Sequence, residues 1–110
     1  MKTLKFTPDL YELIIQGKKT ATWRLFDDKD LQVGDAFTFL HQKTGKSFGM
    51  GTILKLKITS LGQLVESDWD GHERFASAAE MYDTYRSYYG PKVGPDSELK
   101  IIDFSFIQHQ

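Results

Sequence analysis

Gly17-Lys18-Lys19-Thr20-Ala21-Thr22-Trp23-Arg24 gathers a turn glycine, two amines, two hydroxyls, an indole and a guanidinium into one short stretch. Side chains of these types suit an anionic or hydrogen-bond-rich ligand, and a site for one is expected to centre here. The local geometry follows from residue type. Gly17 can end a helix because a left-handed conformation costs it little. From Thr20 onward, two β-branched threonines and an aromatic favour a strand. Period two then places Thr20, Thr22 and Arg24 on a polar face and Ala21 and Trp23 on the other. Lys18 and Lys19 fall in the turn, where either can lean over the polar face.

The elements that must position this stretch can be read on both sides of it. Leu4 and Phe6 flank Lys5 as a short first strand. Thr7-Pro8-Asp9 starts a helix, with Thr7 as N-cap and Pro8 at the first helical position. Leu10, Leu13 and Ile14 follow at helical spacing, and Gln16-Gly17 closes it. Asp27-Asp28-Lys29-Asp30 reads as a solvated turn, because hard cations want several converging oxygens. Phe37 and Phe39 alternate along a strand that Lys43-Thr44-Gly45-Lys46 turns back as a hairpin. Gly49 and Gly51 in the return strand mark a bulge, or a place where another backbone or a ligand comes close. Leu61, Leu64, Val65 and Trp69 are compatible with one side of a short helix. Asp68-Trp69-Asp70-Gly71-His72-Glu73 lacks the leading acid and terminal glutamate of a calcium loop, and His72 has no second histidine four residues on. Ser77 and Glu80 form a capping box that opens a second helix, which stops at Gly90-Pro91. Its Tyr82, Tyr85 and Tyr89 share one face, and packing on a sheet is the favoured reading of that stripe. Residues 99–107 form a buried final strand.

With 110 residues, 40% hydrophobic and 26% charged, the chain suits one globular domain over residues 1–110 with a single modest core. The absence of cysteine excludes a disulfide framework and thiolate metal sites. No apolar run reaches the length of a signal peptide or membrane span, so cytoplasmic residence without membrane association is expected. A net charge of −1 argues against coating nucleic acid by bulk charge, and no extended duplex DNA partner is expected. Cations gather at Lys2, Lys5, Lys18, Lys19 and Arg24, and acids at Glu66, Asp68, Asp70, Glu73, Glu80 and Asp83. That juxtaposition can take a single phosphate or nucleotide.

Gly17, Lys19, Thr22 and Arg24 match the pattern Gly-x-Lys-x-x-(Glu or Thr)-x-Arg, and Val33-Gly34-Asp35 leads into a strand beyond it. Together with length and element order, these residues resemble the ASCH domain family of small PUA-like β-barrels, over nearly the whole chain. Thr22 stands where many members carry glutamate, which is similar to the branch that includes small N4-acetylcytidine amidohydrolases. The fold class expected is α+β: a small, mostly antiparallel PUA-like barrel of five or six strands with two main covering helices. Trp23, Phe37, Phe39, Ile53, Leu56, Ile58, Leu99, Ile101 and Phe104 are the candidates for its barrel residues.

The resemblance also implies a catalytic set of Lys19, Thr22 and Glu73, acting on an acylated nucleoside without metal or other cofactor. Thr22 could attack the acetyl carbonyl while Lys19 takes its proton, or Lys19 and Glu73 could activate a water that Thr22 positions. Lys19 serves as a base only where burial or a neighbouring cation, Lys18 or Arg24, lowers its pKa. On a straight strand Lys19 and Thr22 would face opposite ways, so Lys19 must lie in the turn. Substrate contacts are expected from Lys18, Thr20, Trp23, Arg24, His72 and Tyr82, where residues 17–24 meet residues 69–75. Lys19 itself is expected to be a surface or pocket lysine whose removal spares stability. The alternative is a module that binds RNA or a nucleotide, with Lys18, Lys19 and Arg24 on a phosphate and Trp23 or Tyr82 stacked on a base, with or without RNA cleavage.

Overall fold

Leu4 and Phe6 bury their side chains while Lys5 stays exposed, the period-two signature of a strand with one face on a core. The computed structural model describes residues 2–109. Along it run β1 (Lys2–Phe6), α1 (Pro8–Ile15), β2 (Ala21–Leu25), β3 (Ala36–His41), β4 (Ser47–Ser60), α2 (Ala78–Tyr89), β5 (Glu98–Phe104) and β6 (Ile107–Gln108). Pro8 opens α1 as its sequence predicts, although the Thr7 side chain makes no capping bond. In α2 the Ser77 hydroxyl accepts the Glu80 amide at 3.1 Å, and Gly90 ends the helix at φ 101°.

The strand order is β1-β3-β4-β5-β2, with β6 on β4. β1 pairs with β3 in parallel, and the other ladders are antiparallel. The result is an α+β half-barrel, mostly antiparallel, with two helices. β4 pairs with β3 along its first part and with β5 along its second, with a register shift between Ile53 and Lys55 where it changes partner. Gly51 allows a close crossing there, since a Cβ would come within 2.0 Å of the Ser105 carbonyl oxygen. The order ends on β1 and β2, which leaves a seam between them. Arg24 of β2 reaches across it, donating from Nη2 to the Lys5 carbonyl at 3.1 Å with its guanidinium 4.8 Å from the Phe6 ring centroid.

Two apolar cores lie on opposite faces of the β2–β5 ladder. One holds Leu4, Phe6, Ile14, Phe37, Phe39, Ile102 and Phe104, and the other holds Trp23, Leu25, Met81, Tyr85, Leu99 and Ile101 beneath α2. Trp23, Leu99 and Ile101 therefore belong to the second core and not to the barrel interior. Ile58, another barrel candidate, is 57% exposed on the outer face of β4. The reason is that β2 and β5 are covered on both sides, so period two splits their residues between two cores. For the same reason the polar face of β2 is not a solvent face: Thr22 is only 4% exposed. Residues 61–69 form two 3-10 turns, Leu61–Gln63 and Glu66–Trp69, in place of a continuous helix. The Asp68 carboxylate holds this segment by accepting the Val65 amide at 2.9 Å and the Lys57 ammonium at 2.8 Å. Among the described residues no helix is long and apolar enough to cross a membrane.

Candidate functional site

The end of α1 places Lys19. The amides of Lys18 and Lys19 both turn back to the Leu13 carbonyl, at 2.9 and 3.2 Å, and Gly17 takes φ 74° to allow it. Lys19 thus precedes the first strand residue, Ala21, and escapes the parity that would have sent it away from Thr22. The next two amides fasten a distant loop: Thr20 and Ala21 both donate to the Gly71 carbonyl, at 2.8 and 3.1 Å. Gly71 has φ 73°, and a Cβ there would meet Thr20 Oγ1 at 2.1 Å, so only glycine fits this clamp.

The clamp brings residues 69–75 over the turn. Lys19 is 2% exposed, and its ammonium donates to Glu73 Oε1, while the Glu73 side chain keeps 21% of its surface open. His72 lies beside this pair. Its ring stacks on Trp23 with centroids 3.9 Å apart and 19° between planes. Nδ1 is 2.7 Å from the Glu73 carbonyl oxygen, and Nε2 is 3.3 Å from the Tyr85 hydroxyl. A carbonyl can only accept, so Nδ1 carries the proton and Nε2 accepts from Tyr85.

Burial dominates the titration of these groups. It depresses His72 to about 2, helped by the Lys19 cation, so the imidazole is neutral. Burial also pushes the Tyr85 phenol well up, keeping its proton available for His72. It lowers Lys19 as well, opposed by the charge and hydrogen bond of Glu73 and assisted by Arg24.

A cavity of 330 Å³ opens beside the pair, lined by Lys5 and Thr7, by Thr22, Trp23 and Arg24, by Gln42, by His72 and Glu73, and by Tyr85, Tyr88 and Tyr89. Trp23 Nε1 and Arg24 Nε, on two residues of its lining, are buried without a hydrogen-bond partner among the described residues, as is His41 Nδ1 outside the lining. A broader hollow of 620 Å³ on the outer face of β4 and β5, lined by Lys55, Lys57, Asp68, Asp70 and Asp103, holds no such orphaned donor. Unsatisfied buried donors are rare in native proteins and point to a ligand, which selects the smaller cavity. Among the described residues no group of three or more His, Asp or Glu side chains converges in a way that could hold a metal ion.

The expected residues separate into three groups. Thr22, Trp23, Arg24, His72 and Glu73 line the cavity, and Lys19 is sealed behind Glu73. Lys19 is therefore not a surface or pocket lysine, because the loop clamped by Gly71 closes over it and brings its counter-charge. Lys18 and Thr20 are exposed and outside the lining, and Tyr82 packs on the second core with the Arg86 guanidinium 5.5 Å from its ring centroid. Sequence reading missed Lys5, Thr7, Gln42, Tyr88 and Tyr89 in the lining. The tyrosine stripe on α2 signalled an aromatic face, but only the docking of that helix selects which rings reach the cavity.

A mixed-sheet half-barrel with two helices is the PUA-like class of fold, and it is more particularly the fold of ASCH domains. The chain is similar to an ASCH domain from Lactobacillus crispatus, with a TM-score of 0.70 and 21% identity over 98% of this chain and 80% of that one. A protein of Enterococcus faecalis described by the family model DUF984 gives 0.77 at 17% identity, over 98% and 77%. The ASCH protein of Zymomonas mobilis gives 0.60 at 13% identity, over 94% and 65%. These likenesses are of fold. No family model and no curated protein matches the sequence.

Proposed function

We propose that this protein hydrolyses a small amide on a modified nucleoside, of which N4-acetylcytidine is the type. One observation carries the reading: a sealed lysine paired with a carboxylate that opens into a cavity shared with Thr22. Burial works against the ammonium form of Lys19, so the pair can exchange a proton with a substrate that excludes water. Glu73 is the member that faces the ligand. It takes a proton from the attacking oxygen, that of a water positioned by Thr22, as the new bond to the acetyl carbon forms. The tetrahedral adduct then collapses, the carbon–nitrogen bond breaks, and the pair returns the proton to the exocyclic nitrogen. Acetate and cytidine leave. The aromatic lining and the PUA-like fold support a second reading, binding of RNA or a nucleotide without hydrolysis.

The test is incubation of purified protein with N4-acetylcytidine, followed by the change in absorbance on loss of the acetyl group. Lys19→Met and Thr22→Val run beside the wild type. Lys19→Met is expected to lose activity by at least about a hundredfold. Its melting temperature should fall, because methionine fills the buried volume but leaves the largely buried Glu73 carboxylate without its cation, so folding of the variant is checked by circular dichroism. No turnover by wild type at millimolar nucleoside overturns the hydrolase reading.

A further inference from the structure

We propose that the part of the cavity at the β1–β2 seam is a phosphate subsite, so that the ligand is a nucleoside monophosphate. The nucleoside portion rests on the function proposed above, and the phosphate portion rests on an imbalance of charge. Half-buried cations elsewhere in the fold have acids: Lys2 lies 2.6 Å from Asp35 and Lys100 lies 2.8 Å from Asp27. Arg24 and Lys5, side by side across the seam, have no carboxylate within salt-bridge distance among the described residues. Glu73 is the one acid in the described lining, and Lys19 already engages it. Arg24 spends Nη2 on the Lys5 carbonyl, rests on Phe6, faces the Tyr89 hydroxyl and feels the Glu73 charge at longer range, and leaves Nε unbonded.

A cation withdrawn from water is costly unless its charge is met, so a fold that keeps one without a carboxylate at salt-bridge distance in a cavity wall suits an anion. The planar guanidinium suits phosphate oxygens, and Lys5, an exposed residue of the same lining, can supply the second charge that a phosphate dianion requires. Thr7 and Gln42 line the same region with neutral hydrogen-bonding groups. The ligand is a mononucleotide and not a strand. A volume of 330 Å³ is at the small end for ligand sites, and a net charge of −1 offers no long track for a polymer backbone.

The experiment measures binding directly and does not depend on turnover. Full-length protein is titrated with cytidine, cytidine 5′-monophosphate, inorganic phosphate and a short cytidine-containing RNA, by heat or by tryptophan fluorescence, at low and at physiological salt. The monophosphate is expected to bind roughly tenfold or more tightly than cytidine at low salt, with inorganic phosphate weak and the margin shrinking as salt rises. Arg24→Gln and Lys5→Gln should each reduce the ratio of the two affinities. Lys5 is exposed, so its variant keeps the test open if Arg24→Gln fails to fold. Equal affinities for cytidine and its monophosphate, or no binding of the monophosphate, overturn the proposal, as does tighter binding of the RNA. The two readings fail separately. Preference for the monophosphate without acetyl hydrolysis leaves the subsite and rejects the hydrolase, whereas hydrolysis with no preference does the reverse.

Discussion

His72 shows how strongly one placement governs chemistry at this site. An exposed histidine would titrate near 6.5, but burial against Trp23, with the Lys19 ammonium close by, holds this one neutral down to about 2. Its role is therefore to position its neighbours: it donates to the Glu73 carbonyl and accepts a hydrogen bond from the Tyr85 hydroxyl. The same depression predicts a pH dependence. As pH falls below about 6.5, the unfolded chain takes up a proton that the folded chain refuses, so stability is intact above that value and lost progressively beneath it. The melting temperature of wild type is expected to drop between pH 7 and pH 5 through this residue, and His72→Gln should flatten that slope. Equal slopes in the two proteins would show that His72 is not held neutral.

The loop of residues 69–75 is positioned by one backbone contact, and that contact decides whether Lys19 and Glu73 meet. Two amides at the start of β2 converge on the Gly71 carbonyl, so the loop is registered against the strand rather than merely near it. Gly71→Ala must relieve both a positive φ and the collision with Thr20 Oγ1. A loss of about 1–3 kcal/mol is expected in chemical denaturation, with a larger relative loss of ligand binding because Glu73 leaves the cavity wall. A variant of unchanged stability would mean that the clamp opens at no cost. α2 matters in a comparable way, since its docking brings Tyr85, Tyr88 and Tyr89 to the cavity and turns Tyr82 aside.

The two cores share β5, whose Ile102 and Phe104 serve one while Leu99 and Ile101 serve the other. Loss of packing on one face must therefore reach the other. Phe39 meets the rings of Phe6, Phe37, Phe48, Phe104 and Phe106, and Phe39→Ala is expected to cost about 3–5 kcal/mol. The tryptophan signal, which reports the second core, should fall at the same temperature as the far-ultraviolet signal. Separate transitions would show that the cores unfold independently. The open seam is a second consequence of the whole architecture: a barrel that stops short of closure leaves strand ends, Arg24 and a cavity at one place.

Much of the local order was readable from neighbouring residues. Thr7-Pro8 starts α1, Gly17 ends its turn, Lys43-Thr44-Gly45-Lys46 reverses the chain between β3 and β4, and Ser77 to Gly90 delimits α2. These depend on backbone preferences that each residue brings with it, and with the motif around Lys19 they were enough to indicate the fold class. The requirement that Lys19 precede the strand followed from parity once the resemblance had paired it with Thr22. Its burial did not, because the pairing with Glu73 spans 54 residues and depends on a loop that the chain must first carry back to the turn. Period two distinguished the faces of β2 but could not say that both would be covered, which made Thr22 a buried residue and moved Trp23 to a second core. Nor could helical spacing say which tyrosines would face a cavity, or that Lys5 and Arg24 would meet across an unclosed seam. Periodicity records which residues share a face. What lies against that face, and hence the burial and neighbouring charge that tune each group, is a sum over distant parts of the chain that only the folded structure brings together.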